Sequence, residues 1–239
     1  MILTLENVAR RFGGLVALSD VSFSVPEAQI LGIIGKNGAG KTTLFNLIAG
    51  RFAPSSGTIR FSGEDIGGRS ASARAMAGIA RTFQIPEPLP RLSVFENVLA
   101  GAFARIRDRS EAGRLAHETL NFCDLSAKAD VASTELTVPE LKRLEVARAL
   151  ATQPRLLLLD EVMAGLRPNE VDEAMVLCRR IRDRGVTILF VEHVMRAVMN
   201  LCDRVVVLDQ GRIIADGAPA AIRGDEAVID AYLGREADA

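Results

Sequence analysis

The chain has 239 residues, enough for one large domain or a domain with an inserted subdomain around a sizeable core. Its 29 Lys and Arg nearly balance 30 Asp and Glu, and a net charge of −1 gives no support to a nucleic-acid partner. The longest apolar runs (156–159, 186–191 and 205–208) are far below the roughly 18 residues that span a bilayer, so the chain is not expected to cross a membrane alone, and with no signal-peptide pattern at Met1–Glu6 a cytosolic location is expected.

Leu3, Leu5 and Val8 begin an alternating strand, Val21, Phe23 and Val25 form another, and Gly13-Gly14 lies in the turn region between them. Phe12, just before that turn, is either an exposed ring able to stack on a flat partner or a core phenylalanine. The apolar run Ile30 to Ile34 then leads into Gly35-Lys36-Asn37-Gly38-Ala39-Gly40-Lys41-Thr42, followed by Thr43, Leu44, Phe45, Leu47 and Ile48 at helical spacing. A strand, a glycine-rich turn and a helix start at the spacing G-x-x-x-x-G-K-T form a nest of backbone N–H groups for a phosphate chain. The helix dipole faces the anion, Lys41 reaches toward β- and γ-phosphates, and the Thr42 hydroxyl suits the oxygen shell of Mg²⁺. A nucleoside triphosphate is the expected ligand.

Pro54 to Gly57 turn the chain into a strand at Thr58 to Phe61, and 63–68 form a loop. Arg74 to Ala77 read as helical, and Ile79 to Phe83 as a short strand ending at Gln84. Pro86, Pro88 and Pro90 stop regular structure and mark a junction. Ser93 to Glu96 make a capping box for a helix to Arg107, a second helix runs from Ser110 to about Cys123, and a third from Pro139 to Thr152. His117 reads as a solvated surface residue. Cys123, Cys178 and Cys202 are widely spaced in apolar surroundings and read as core residues, not as a disulfide framework or zinc site.

Arg155 to Leu159 are a buried strand ending in Asp160-Glu161. Asp160 is placed to hold the Mg²⁺ shell through water, and Glu161 to polarise a water for attack on the γ-phosphate. A helix from Asn169 to Arg184 and a strand from Val186 to Val191 complete a strand-helix-strand unit, hence a parallel sheet. Arg204 to Leu208 and Arg212 to Ala215 flank a tight turn, and 220–239 are helical, then polar.

The phosphate loop, Gln84 after a strand, Leu136 to Leu150, Leu156 to Glu161, Ala164-Gly165-Leu166 and His193 after a strand occur in the order seen in ATP-binding cassette proteins, which the chain resembles over nearly its whole length. Within that superfamily the stretches 11–18, 81–84, 143–150 and 161–166 look most like ATPase subunits of branched-chain amino acid importers. The resemblance implies an α/β P-loop fold with an antiparallel β subdomain, a nucleotide-binding core at 1–84 and 154–239, and a helical subdomain inserted at 85–153. It also implies ATP and Mg²⁺ as ligands, with 35–43 around the phosphates, Phe12 stacked on adenine, Gln84 touching Mg²⁺ or the attacking water, His193 on the γ-phosphate, and 164–166 at a dimer interface. Its partners would be a second cassette subunit, membrane permeases and, indirectly, an extracytoplasmic solute-binding protein, with this chain peripheral on the inner membrane face.

One stretch departs from the family. Where the signature reads Leu-Ser-Gly-Gly-Gln, this chain has Leu136-Thr137-Val138-Pro139-Glu140. Thr137 and Glu140 still make a capping box, but Val138 adds a branched Cβ, Pro139 removes an N–H donor and Glu140 adds a negative charge. A weakened signature is expected, leaving one competent and one poor site in a heterodimer. Urea or lipopolysaccharide transport remains open, as does a soluble cassette protein acting on nucleic acid or ribosomes, although the chain lacks the second cassette or long insertions usual there. A phosphotransferase would need a lid and an acceptor site, and Glu161 favours water as the nucleophile.

Overall fold

In a computed structural model of the chain, which describes residues 1–83 and 87–233, two sheets enclose the helix that follows the glycine-rich turn. Strands β1 (Leu3–Phe12), β2 (Leu15–Val25), β4 (Ser56–Phe61) and β5 (Glu64–Asp65) form an antiparallel sheet in the order β2-β1-β4-β5. Strands β3 (Ile30–Ile34), β6 (Ile79–Arg81), β7 (Leu156–Asp160), β8 (Thr187–Val191), β9 (Arg204–Asp209) and β10 (Arg212–Gly217) form the second, in the order β10-β9-β3-β8-β7-β6. Its strands are parallel except for β10, which returns from β9 through a turn where Gln210 and Gly211 both take positive φ, the geometry of a two-residue hairpin.

The near-continuous apolar runs of β3, β7, β8 and β9 are explained by burial on both faces. Alternate residues divide between two cores. Leu31, Ile33, Leu156, Leu158, Leu189 and Val206 pack with the antiparallel sheet and helix α1 (Lys41–Ala49). Ile30, Ile34, Leu157, Leu159, Ile188 and Val205 pack with the helices on the opposite face. Those include α3 (Val94–Ala102), α4 (Arg109–Phe122) and α5 (Val138–Ala151), all between β6 and β7, and α6 (Pro168–Asp183). The remaining helices are α2 (Ala71–Ala77), α7 (Met195–Leu201), α8 (Pro219–Arg223) and α9 (Glu226–Leu233), none of the described helices being long and apolar enough to cross a membrane.

Three readings of the sequence need adjusting. The strand expected to reach Phe83 stops at Arg81, and Phe83 turns outward, 45% exposed. The helix expected to reach Arg107 ends at Ala102, where Arg105 swings back to donate to the carbonyls of Thr152, Met76 and Ala75. Helix α7 has no counterpart in the sequence reading, because Val194 offers no capping oxygen at its start. Cys123, Cys178 and Cys202 are buried and free, and burial pushes the Cys123 and Cys178 thiols up to about 12. His117 is exposed and stacks on Phe95 at 4.4 Å.

Candidate functional site

The carboxyl ends of parallel strands are where open α/β sheets gather ligand groups. Here β3 delivers the glycine-rich turn, β7 delivers Asp160 and Glu161, and β8 delivers Glu192 and His193. The turn needs its glycines for different reasons. A Cβ at Gly35 would lie 2.3 Å from the Leu208 carbonyl oxygen. Gly40, with φ of 105°, would place one 2.7 Å from Leu18 Cδ2 and 2.8 Å from the Ala17 carbonyl. The loop is thus pressed against β2 and β9, and it runs directly into α1, leaving the first-turn N–H groups of that helix pointed at the concavity.

Lys41 is buried, and its Nζ donates to the carbonyls of Gly35 and Lys36 at 2.6 and 3.1 Å. Burial pushes the ammonium below its ordinary value, while Glu161 and Asp160 hold it up. Thr42, next in the chain, is exposed. The exposed Thr42 hydroxyl and the buried Asp160 carboxylate are hard-oxygen donors, and the cation folded into a loop of backbone N–H groups is an anion cradle. Together these suit a magnesium–triphosphate pair.

Glu161 adopts φ of 50°, a left-handed conformation that costs a non-glycine residue about 1 kcal/mol or more. Several bonds fix it there. Its N–H donates to Val191 O at 2.9 Å, and Lys142 Nζ donates to the carbonyls of Glu161 and Ala164 at 3.0 and 2.6 Å. Its Oε1 lies 2.9 Å from His193 Nε2. Glu192, 1% exposed, accepts from the N–H groups of Met163 at 2.6 Å, His193 at 3.1 Å and Val194 at 3.4 Å, tying the segment after Glu161 to the segment carrying His193. Burial raises the Glu192 carboxyl above the ordinary glutamate range against those N–H bonds.

Asp160 is also paired. Arg81 on β6 donates through Nη2 to Asp160 Oδ2 at 2.8 Å and through Nη1 to Asn46 Oδ1 on α1 at 2.5 Å. Arg81, Lys142 and Glu192 were not identified as site residues from the sequence; their partners lie on neighbouring strands or a distant helix, and no local spacing reports that.

The structure therefore brings Lys41, Asp160, Glu161 and His193 together. Phe12 sits at the end of the β1–β2 hairpin, whose Ala17-Leu18 stretch abuts Gly40; it is 38% exposed, edge-on to Phe52 at 5.3 Å, with the Arg10 guanidinium 4.5 Å from its centroid. That exposure leaves part of the ring accessible to a stacking partner. Gln84 lies outside the described residues, as do Ile85 and Pro86. At the start of α5, Glu140 accepts from the N–H and hydroxyl of Thr137, both at 2.8 Å, and pairs with Lys128 at 3.3 Å. Those bonds hold its carboxyl below the usual range, so a negative charge persists at this helix start. Val138 is exposed and Pro139 occupies the first turn.

Residues 18–164 match the family described as ABC transporter, and residues 212–238 match the family described as Branched-chain amino acid ATP-binding cassette transporter. The chain is 39% identical to the high-affinity branched-chain amino acid transport ATP-binding protein BraF of Pseudomonas aeruginosa, over 98% of each chain. It is 36% identical to the lipopolysaccharide export system ATP-binding protein LptB of Haemophilus influenzae, again over 98% of each. Among solved structures, an ATP-binding cassette of an ABC transporter in its ADP conformation superposes with a TM-score of 0.89 at 32% identity, covering 98% of both chains.

Proposed function

The chain belongs to the ATP-binding cassette transporter family, whose ATPase subunits hydrolyse ATP, and from that premise we propose that it powers uptake of branched-chain or other hydrophobic amino acids through membrane permeases. The observation that carries the ATP-hydrolysing part of this reading is the convergence of buried Lys41, Asp160 and the Glu161–His193 pair at one end of the parallel strands. The match at 212–238 favours amino-acid transport over lipopolysaccharide export.

In this reading the loop 35–43 and Lys41 bind the triphosphate, and Phe12 stacks on adenine. Thr42 and Asp160, the latter through water, would hold Mg²⁺, with Gln84 a further contact, and the ion would supply charge neutralisation for the triphosphate. Glu161 orients the attacking water and accepts its proton, held in line by His193, which also meets the γ-phosphate. The altered signature at Thr137–Glu140 supports pairing with a different cassette chain that carries an intact one. Hydrolysis and release then reopen the pair, and the movement passes to the permeases. A groove of about 640 Å³ between α2, β6, α3 and α5, with Phe83 and Leu89 exposed along it, supports permease docking there and a peripheral place on the inner membrane face. The helical insert at 85–153 is the permease-facing subdomain in this scheme.

The test is Glu161→Gln in the assembled transporter. Nucleotide should stay bound while turnover falls by about 10²–10⁴-fold. Undiminished turnover would overturn the assignment.

A further inference from the structure

Asp160 ends β7, and β6 runs parallel beside it with Arg81 in register with Leu158, so the arginine reaches along the strand to the carboxylate. Its other amino group bonds Asn46 on α1, the helix that begins with Lys41 and Thr42. The guanidinium lies over the rings of Phe45 and Phe83, 5.8 and 5.7 Å from their centroids. The pair is secluded, with side chains 13% and 6% exposed. A carboxylate buried this far needs a counter-charge, because ionised groups are costly to hold in low dielectric without one. Lys41 contributes to the local potential but spends its hydrogen bonds on Gly35 and Lys36.

We propose that Arg81 is a positioning residue that neutralises Asp160 until a magnesium-bearing nucleotide arrives, and thereby sets how strongly nucleotide binding depends on the ion. The proposal rests on the reading of Asp160 as the carboxylate that orders the Mg²⁺ water shell. A guanidinium already on Asp160 competes with a divalent cation for the same negative charge, so it lowers the affinity for magnesium while supporting the fold without it. Removing the charge has two opposite effects: the nucleotide-free protein loses stability, and the nucleotide site gains magnesium affinity. A residue that only cross-braces β6, β7 and α1 would lose stability equally in both states.

The experiment uses the purified full chain and the β,γ-imido analogue of ATP, with its dissociation constant measured in Mg²⁺ and in EDTA. The ratio of the two is the magnesium enhancement. Arg81→Gln, which removes the charge and leaves a shorter polar side chain, should raise that enhancement by about tenfold. It should also melt earlier than wild type in EDTA and recover the difference with Mg²⁺ and analogue. Arg81→Lys should stay within about threefold of the wild-type enhancement. Asp160→Asn separates the two levels of inference. If it leaves the enhancement unchanged, the reading of Asp160 fails; if it lowers the enhancement while Arg81→Gln does not change it, or Arg81→Gln destabilises both states alike, the Arg81 proposal is overturned. Should Arg81→Gln not fold, ¹⁵N-arginine spectra of the wild type decide: the Arg81 Nη–H signals should move with Mg²⁺ and analogue, and not with analogue in EDTA. Signals unmoved by the magnesium complex would overturn the proposal.

Discussion

Glu192 is the junction between the two segments that carry Glu161 and His193, so truncating it should be felt in both stability and turnover. Glu192→Ala strands the N–H groups of Met163, His193 and Val194 in a site where the native carboxylate is 1% exposed. Each buried donor left unpaired costs about 1–3 kcal/mol. The 2.6 Å bond from Met163 dominates and the 3.4 Å contact from Val194 adds little, while deleting a carboxylate whose pKa is raised by burial returns part of the loss. The net destabilisation is about 3 kcal/mol. With a urea slope of about 3 kcal/mol per M, the unfolding midpoint should fall by about 1 M. Nucleotide-driven turnover, corrected for the folded fraction, should fall further, because the positive φ at Glu161 loses part of its support. A midpoint within about 0.2 M of wild type would refute the reasoning.

A raised folded-state pKa at Glu192 means that this group stabilises most below its unfolded pKa and loses that contribution as pH rises through the folded value. The stability cost of Glu192→Gln should therefore shrink as pH rises above the ordinary glutamate pKa of about 4.3, measured by urea unfolding at each pH. Phe12→Ala should weaken ATP binding by roughly 1 kcal/mol, about fivefold in dissociation constant, with little change in melting temperature. Gly35→Ala should abolish nucleotide binding and lower stability, because its Cβ would collide with the Leu208 carbonyl at 2.3 Å; a calorimetric titration showing normal affinity would contradict the packing described. Restoring the signature with Val138→Gly, Pro139→Gly and Glu140→Gln together should raise the ATPase rate of the chain assayed alone.

The sequence made the phosphate loop legible because its chemistry is local: glycines, lysine and threonine must stand at fixed spacing on one turn, and strand and helix signals flank it. Asp160 and Glu161 were legible for the same reason, at the end of four leucines. Arg81, Lys142 and Glu192 were not, since their meaning depends on which strands and helices become neighbours. Arg81 meets Asp160 only because β6 is placed beside β7, and Glu192 meets Met163 only because β8 lies on the other side of β7. Boundaries failed where tertiary bonds overrode local pattern: Arg105 ends α3 by reaching for carbonyls of other elements, and the chain turns from the sheet after Arg81 despite the apolar Phe83.

The strand that feeds the glycine-rich turn occupies the middle of its sheet, and both of its ladder partners come much later in the chain: β3 is flanked by β8 and β9, which begin at residues 187 and 204. A ribosome that has not yet reached residue 187 has therefore made every glycine of the loop but neither of the strands that hold it in shape. Nucleotide capture therefore waits on β8 and β9, and a product terminated before them exposes an apolar ribbon with both edges bare, a form suited to chaperones and proteases but not to assembly.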